Sequence, residues 1–235
     1  MRTRAIIIKK QHTNEHDQLV TCYTEELGKL TAIAKSVLKH NSLQAMQLDT
    51  LNLVDFELVS GRSASWRMPI IAAAQVERSF SGIKGSLQKL GAVFFFLEVL
   101  DRMVFDNEKD ERLWAFLSDF LEQAERVSSE GVLTLFRSKQ LELLSVLGYS
   151  PQLAACVRCG TGGAQAGWAL SAQSGGLLCG NCFSSDQKGI VLDRNDLVFL
   201  ASGQMPETLA TSPFRSIIDA LFEHVAGYRG SSLGF

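Results

Sequence analysis

The sequence lacks the features that mark exported or membrane proteins. No apolar run approaches the roughly 18 residues of a membrane span, because the stretch from Val93 to Leu97 is broken at once by Glu98. The N-terminal segment from Met1 to Lys10 carries no long apolar stretch of a secretory signal. The net charge is only −2, so there is no gross polycation or acidic tail. These absences predict a cytoplasmic protein with no membrane partner.

Motifs of the common enzyme classes are also missing. The sequence has no phosphate-binding glycine loop, dinucleotide fingerprint, zinc-protease helix motif or nucleophile elbow. His12 and His16 flank Glu15 and Asp17, which leaves two interpretations open. They form either a metal or acid–base site or, as is commoner for a polar loop, a solvated surface. We therefore expect no enzymatic turnover.

Cysteine is scarce, with five residues in the chain, but four of them are regularly spaced. Cys156, Cys159, Cys179 and Cys182 form a C-x2-C-x19-C-x2-C pattern, which is typical of a zinc site. Four thiolates fill a tetrahedral shell and leave no position for water, so the pattern predicts one structural Zn²⁺ per chain. Two disulfides or a redox C-x-x-C are the alternatives. Cys22 lies in an apolar run and is predicted to be a core residue.

The first 80 residues have the pattern of short strands separated by turns. The fourth predicted strand alternates Val54, Phe56 and Leu58 with Asp55 and Glu57. A hairpin turn is predicted at Gly28, where glycine supplies a positive φ. Five such strands suit an oligonucleotide-binding (OB) barrel as well as other small barrels. The other predicted strands span 3–10, 17–24, 30–37 and 66–76.

From Ser81 onward the apolar positions follow helical spacing. One helix contains Val93 to Val104, a second Leu113 to Ala124, and a third runs from about Val132 to Leu147 and stops at Gly148. After the cysteines, Asp193 is predicted to cap a short helix, and Ser212-Pro213 to open a last one. The expected domains are a barrel over 1–80, a helical domain over 81–150, a four-cysteine module over 151–190 and closing helices over 191–235.

Two stretches resemble the DNA repair protein RecO family. One runs from Asn14 to Lys35, and the other from Leu135 to Cys156, leading into the cysteine pairs. The resemblance covers roughly residues 1 to 228 and includes the order of elements. It implies an α+β multidomain chain with an N-terminal five-stranded OB-fold barrel and an α-helical domain that carries an inserted four-cysteine zinc finger.

The same resemblance implies a function in DNA repair and homologous recombination. Members of the family bind and anneal single-stranded DNA, contact double-stranded DNA, and act with RecR to help RecA replace single-stranded-DNA-binding protein (SSB) on gapped DNA at the nucleoid. Residues 1–40 hold seven Lys and Arg against four acids, so the barrel is the predicted DNA surface. The residues expected to contact DNA are Arg2, Arg4, Lys9, Lys10, Lys29, Lys35, Lys39 and His40.

The third helix is the expected receptor for the C-terminal tail of SSB. Such tails are acidic and end in an apolar residue with a free carboxylate, so a receptor needs an apolar groove bordered by cations. Arg137 is the favoured ligand of the carboxylate because its guanidinium engages both oxygens, while snorkelling of both cations into water is the alternative. The predicted set is Leu133, Phe136, Arg137, Lys139 and Leu141.

Two departures from the family pattern concern the DNA surface. RecO proteins usually continue after the equivalent of Lys35 with a glycine and a basic run, whereas this chain has Ser36, Val37, Leu38, Lys39 and His40. The segment from Arg229 to Phe235 also lacks a longer basic tail. A zinc-stabilised protein-interaction module without nucleic-acid binding is therefore the competing hypothesis.

Overall fold

The computed structural model describes residues 1–39, 42, 44–59, 68–162, 167–183, 189–202 and 214–226. The chain forms two compact units, Met1–Arg126 and Val127–Phe235. The first holds a β-barrel and four helices, and the second holds helices and the four-cysteine module. This is the α+β organisation predicted from the sequence. The predicted opening of the last helix at Ser212-Pro213 and the segment from Arg229 onward lie outside the described residues.

The N-terminal unit begins with a closed barrel in the strand order β1-β2-β3-β5-β4. Neighbouring strands are antiparallel except β3 and β5, which run parallel. This five-stranded barrel has the architecture of an OB fold, as predicted. Its strands are β1 (Arg2–His12), β2 (Gln18–Thr24), β3 (Gly28–Ala34), β4 (Leu53–Val59) and β5 (Ile70–Arg78).

Alternating side chains of the strands fill the barrel interior. In β4, Val54, Phe56 and Leu58 are buried in the core, while Asp55 and Glu57 lie on the other face. Cys22 in β2 is fully buried in the same core, as its apolar surroundings predict. Period-two spacing therefore determines which face of the strand is inside.

A short helix, α1 (Gln44–Gln47), lies between β3 and β4 and protects the edge of β5. The β3–β5 pairing is limited to Ile33 and Ile70. Farther along β5, the Gln47 side-chain oxygen accepts a hydrogen bond from the Val76 N–H at 2.8 Å. The Gln44 side-chain amide donates to the Ala72 carbonyl at 3.1 Å. These amides replace the missing strand partner, which an exposed sheet edge requires.

Three further helices belong to the same compact unit as the barrel: α2 (Ser81–Lys84), α3 (Leu87–Met103) and α4 (Glu111–Arg126). The Phe96 ring on α3 packs edge-on against Phe116 and Phe120 of α4, with centroids 5.9 and 4.4 Å apart. The compact N-terminal unit therefore extends to Arg126, beyond the barrel boundary at residue 80 that the sequence predicts. The two longer predicted helices both form.

The second unit contains four-cysteine and helical elements. The third helix predicted from the sequence lies in this unit and ends near Gly148, which has the expected positive φ of 81°. Asp193 precedes a short helix and accepts a hydrogen bond from the Asp196 N–H at 2.8 Å, as a cap does. No helix in the described ranges combines the length and apolar character needed to cross a membrane. The elements are α5 (Val132–Val146), β6 (Ala169–Ser171), β7 (Gly176–Leu178), β8 (Ile190–Val191), α6 (Arg194–Ser202) and α7 (Phe214–Ala226).

The connection between α3 and α4 docks on the β2–β3 turn at Gly28. Gly28 has a φ of 69°, and a Cβ built on it would lie 1.9 Å from the Glu108 carbonyl oxygen. Next to it, the Asn107 N–H donates to the Lys29 carbonyl at 2.7 Å. Two backbones therefore approach as closely as only glycine permits.

We predict that Gly28→Ala strongly destabilises the N-terminal unit. The substitution adds a clash with backbone to the roughly 1–2 kcal/mol that a left-handed non-glycine residue costs, so we expect a loss of about 3 kcal/mol or more. Urea unfolding followed by circular dichroism measures the effect. Gly28→Asn is the control, because asparagine tolerates positive φ but still carries a Cβ. If Gly28→Asn restores wild-type stability, φ alone matters and the close approach to Glu108 does not.

Candidate metal centre and nucleic-acid interface

The four spaced cysteines come together in the second unit. Their sulfur atoms all lie within 4.8 Å of one another, and those of Cys159 and Cys179 are 3.7 Å apart. A tetrahedral shell with bonds of ~2.3 Å requires sulfurs about 3.8 Å apart, whereas a disulfide requires about 2.05 Å. The donor set and its spacing therefore fit a metal ion, and the 3.7 Å separation does not fit a disulfide bond.

A small sheet positions both cysteine pairs. Strand β7 pairs with β6 and leads directly into Cys179. The segment that contains Cys156 runs beside β7, where the Leu177 N–H donates to the Gln152 carbonyl and the Val157 N–H donates to the Leu177 carbonyl. Within the first pair, the Gly160 N–H donates to the Cys156 carbonyl at 2.8 Å and Gly160 has a φ of 73°. Strand β7 thus holds the two cysteine pairs at a fixed separation.

Hydrogen bonds within the cluster give the thiols of Cys156 and Cys182 very different pKa values. A hydrogen bond from the backbone N–H of Cys179 lowers the pKa of Cys156 to about 6. The contact with the Cys159 side chain, followed by burial, raises the pKa of Cys182 to about 12. The other three thiols oppose ionisation of Cys182, whereas the hydrogen bond with the Thr161 side chain lowers the pKa of Cys159. A bound cation removes that opposition because it favours the deprotonated form of every ligand.

Most cations of the predicted DNA surface are paired with carboxylates in the N-terminal unit. Five predicted contact residues form ion pairs there: Arg2 with Asp55, Arg4 with Glu25, Lys9 with Asp101, Lys10 with Asp49, and Lys29 with Asp106. Lys29 is also largely buried and donates to the Asp101 carbonyl at 2.7 Å. Charge counting along the sequence overlooked these partners, because most of them are distant along the chain.

Lys35 and Lys39 differ from these five cations. Both side chains are exposed, and within the described part of the chain neither forms an ion pair. They follow β3 and lie beside the β1–β2 connection, since the Leu38 N–H donates to the His16 carbonyl at 3.0 Å. His40, the last residue of the predicted set, lies outside the described residues.

Tyr23, the aromatic residue of strand β2, is unavailable for base stacking. Tyr23 is fully buried, and its ring stacks on Trp114 of α4 at 6.5 Å. Its hydroxyl donates to the Asp110 carbonyl at 3.3 Å. Its buried ring therefore offers no face on which a base could stack.

The cations predicted on α5 have partners within the second unit. The Arg137 guanidinium is buried, contacts Asp219 of α7 and the Gln140 side-chain oxygen at 2.9 Å each, and lies over the Phe136 ring. Lys139 is buried and pairs with Glu142 at 2.8 Å. Neither cation snorkels into water, and neither lies open beside an apolar face. Leu133 and Leu141 are partly exposed.

The metal or acid–base site considered around His12 and His16 does not form in the structure. Among the described residues, the cysteine cluster is the one group of His, Cys, Asp and Glu with the geometry for a metal ion. His12 at the end of β1 and Glu15 and His16 on the β1–β2 connection are exposed and do not join such a group. The solvated interpretation of these histidines therefore fits the structure.

Comparison with known families accounts for both units. The N-terminal model described as "Recombination protein O N terminal" matches residues 1–68, and the model described as "Recombination protein O C terminal" matches residues 84–221. The chain belongs to the RecO family. The resemblance inferred from the sequence is thereby confirmed.

Individual relatives agree with the family match, and each is called DNA repair protein RecO. The relative from Roseiflexus sp. is 28% identical over 244 residues, which cover 100% of this chain and 84% of the relative. That from Synechococcus sp. is 29% identical over 222 residues, covering 92% and 78%. That from Caldanaerobacter subterraneus is 26% identical over 200 residues, covering 85% and 78%.

Proposed function

We propose that this protein is a mediator of DNA repair and recombination that binds single-stranded DNA at one end of its barrel. OB folds bind oligonucleotides on the face of strands 2 and 3 and on the loops at its ends. Lys35 and Lys39 follow β3 and lie beside the β1–β2 loop. These two exposed cations, which form no ion pair among the described residues, are the observation that carries the proposal.

The proposed role is one of binding and annealing, without turnover. It includes contact with double-stranded DNA, cooperation with RecR, and assistance to RecA in replacing SSB on gapped DNA at the nucleoid, as the family assignment suggests. Fewer available cations imply a weak DNA surface, since each neutralised phosphate contributes to affinity. The proposed function therefore relies on partners to bring the protein to DNA.

A protein-interaction module without nucleic-acid binding is the second candidate. The pairing of five barrel cations with carboxylates favours it, because those charges are already neutralised. Retention on a single-stranded oligonucleotide at about 50 mM salt separates the two candidates. A protein that is not retained under this condition supports the interaction module and rules out the DNA-binding role.

We also propose that the SSB tail binds beside α5. A cavity of about 380 Å³ is lined there by Leu141, Glu142, Pro151, Leu153 and Leu200, among others. The apolar end of the tail would enter this cavity. Glu142 lines this cavity and pairs with the buried Lys139, so the tail carboxylate would reach Lys139 only by displacing Glu142 and opening that ion pair. Arg137 is held internally by Asp219.

The cysteine cluster is proposed to hold one structural zinc ion. We predict that purified protein contains about one zinc per chain, and that Cys159→Ser loses it and unfolds the module, because metal binding supplies folding free energy. Metal analysis by mass spectrometry and thermal unfolding measure both effects. Cys22→Ala is the control, since this cysteine lies in the barrel core and its loss should leave the zinc content unchanged. Metal-free protein obtained from zinc-supplemented cultures would contradict the assignment.

For the tail, fluorescence anisotropy with a labelled peptide gives a directional test. Lys139→Ala should weaken binding by roughly tenfold, the effect of losing one charged hydrogen bond. Glu142→Gln should tighten binding, because it removes the competing carboxylate. Arg137→Ala should instead lower stability by about 1–3 kcal/mol, since its buried hydrogen bonds to Asp219 and Gln140 are lost. If Glu142→Gln and Lys139→Ala both bind like wild type, the tail binds at another surface.

For DNA, the salt dependence of binding identifies the contacting cations. Each phosphate neutralised on a single strand contributes about −0.7 to the log–log slope. Lys35→Ala with Lys39→Ala should therefore make the slope shallower by roughly one unit. Arg2→Ala with Arg4→Ala is the matched control and should leave the slope unchanged, because Asp55 and Glu25 already neutralise these arginines. The reverse pattern would move the DNA site to the β1–β4 face.

A further inference from the structure

The turn that carries Lys35 and Lys39 contains a strained residue. Ser36 adopts a φ of 56°, which is the left-handed region that a non-glycine residue occupies only at a cost. Such conformations persist where the surroundings hold them. Because Ser36 directly follows Lys35, its backbone angles set the direction of the chain through Val37 to Lys39. The conformation of Ser36 therefore sets the position of Lys39 relative to Lys35.

The carboxylate of Asp17 is the group that holds Ser36. Its Oδ1 accepts the backbone N–H of Ser36 at 2.6 Å, and its Oδ2 accepts the Asn14 side-chain amide at 3.0 Å. These two hydrogen bonds, that from Asn14 first, lower the pKa of Asp17, so the carboxylate is charged at neutral pH.

The β1–β2 loop that supplies Asp17 is itself fixed. The Asn14 side-chain oxygen accepts the N–H groups of His16 and Asp17 at 2.9 and 2.7 Å. The Thr13 N–H donates to the Asp17 carbonyl at 3.2 Å, closing the loop. The loop therefore presents its carboxylate to Ser36 as a preformed acceptor.

We propose that Asp17 is a positioning residue for single-stranded DNA, and that its carboxylate holds the Ser36 turn so that Lys35 and Lys39 face the phosphates together. This inference rests on the proposed DNA-binding function. Asp17 does not contact the DNA in this role. It acts through Ser36, by keeping the binding-competent turn populated.

The direction in which Asp17→Ala changes DNA affinity separates a positioning role from a purely electrostatic one. Asp17 is an anion whose charge acts on Lys35, so if it were a bystander its removal would tighten DNA binding. If it positions the turn, Asp17→Ala should weaken binding by roughly three- to tenfold, because the competent fraction falls.

Glu15→Ala is the matched control. Glu15 lies two residues away on the same loop, is exposed, and makes no hydrogen bond or ion pair within the described ranges. Its removal deletes the same charge without touching Ser36, so binding should stay equal or become tighter. Binding is measured by fluorescence anisotropy with a single-stranded oligonucleotide at fixed salt, with circular dichroism melting to confirm folding.

A second background keeps the inference testable where Asp17→Ala alone is unstable. Glycine adopts positive φ without penalty, so Ser36→Gly should fold and bind about like wild type. In that background, adding Asp17→Ala should cost less affinity than in the Ser36 protein. An equal loss in both backgrounds would show that Asp17 does not act through Ser36.

Binding of the same oligonucleotide to wild type and to the variants distinguishes the remaining outcomes. If wild type does not bind, the proposed function fails and the inference fails with it. If wild type binds and Asp17→Ala binds as tightly or more tightly, the inference fails while the proposed function stands. If Asp17→Ala weakens binding but Lys35→Ala with Lys39→Ala does not, the turn is not the DNA contact and the inference is wrong.

Discussion

The close approach of Glu108 to Gly28 is the constraint on which the N-terminal unit depends. It brings the α3–α4 connection onto the β2–β3 turn, so that helices and barrel form one compact unit. The same docking takes Lys29 into an ion pair with Asp106 and buries Tyr23 against Trp114. A contact between two backbones thus removes one cation and one aromatic ring from any nucleic-acid surface.

The number of cations available to bind DNA is therefore determined by packing as well as by composition. The basic excess of residues 1–40 is real, but carboxylates neutralise five of its cations within the described structure. Exposed pairs of this kind contribute little to stability, typically below about 1 kcal/mol. Their consequence is functional, since a neutralised lysine releases fewer counterions when it meets a phosphate.

The sequence predicts what is local and misses what is distant. Alternation placed Val54 and Phe56 inside the barrel, and the spacing of the cysteines predicted their cluster. No periodicity relates Lys9 to Asp101 or Arg137 to Asp219, because these partners are 92 and 82 residues apart. Helix α1, with four residues, is too short to give a helical pattern. Its glutamines act as substitutes for a strand, a role that no residue-type rule predicts.

The second unit has a different division between scaffold and function. Strands of two or three residues cannot form a stable sheet alone, so the cysteine module requires cross-linking that a small core cannot provide. Four thiolates would provide it through a metal and leave no open coordination position for chemistry. Arg137 and Lys139 are engaged inside the same unit. Because these two cations are buried and paired, they offer no open surface to phosphate.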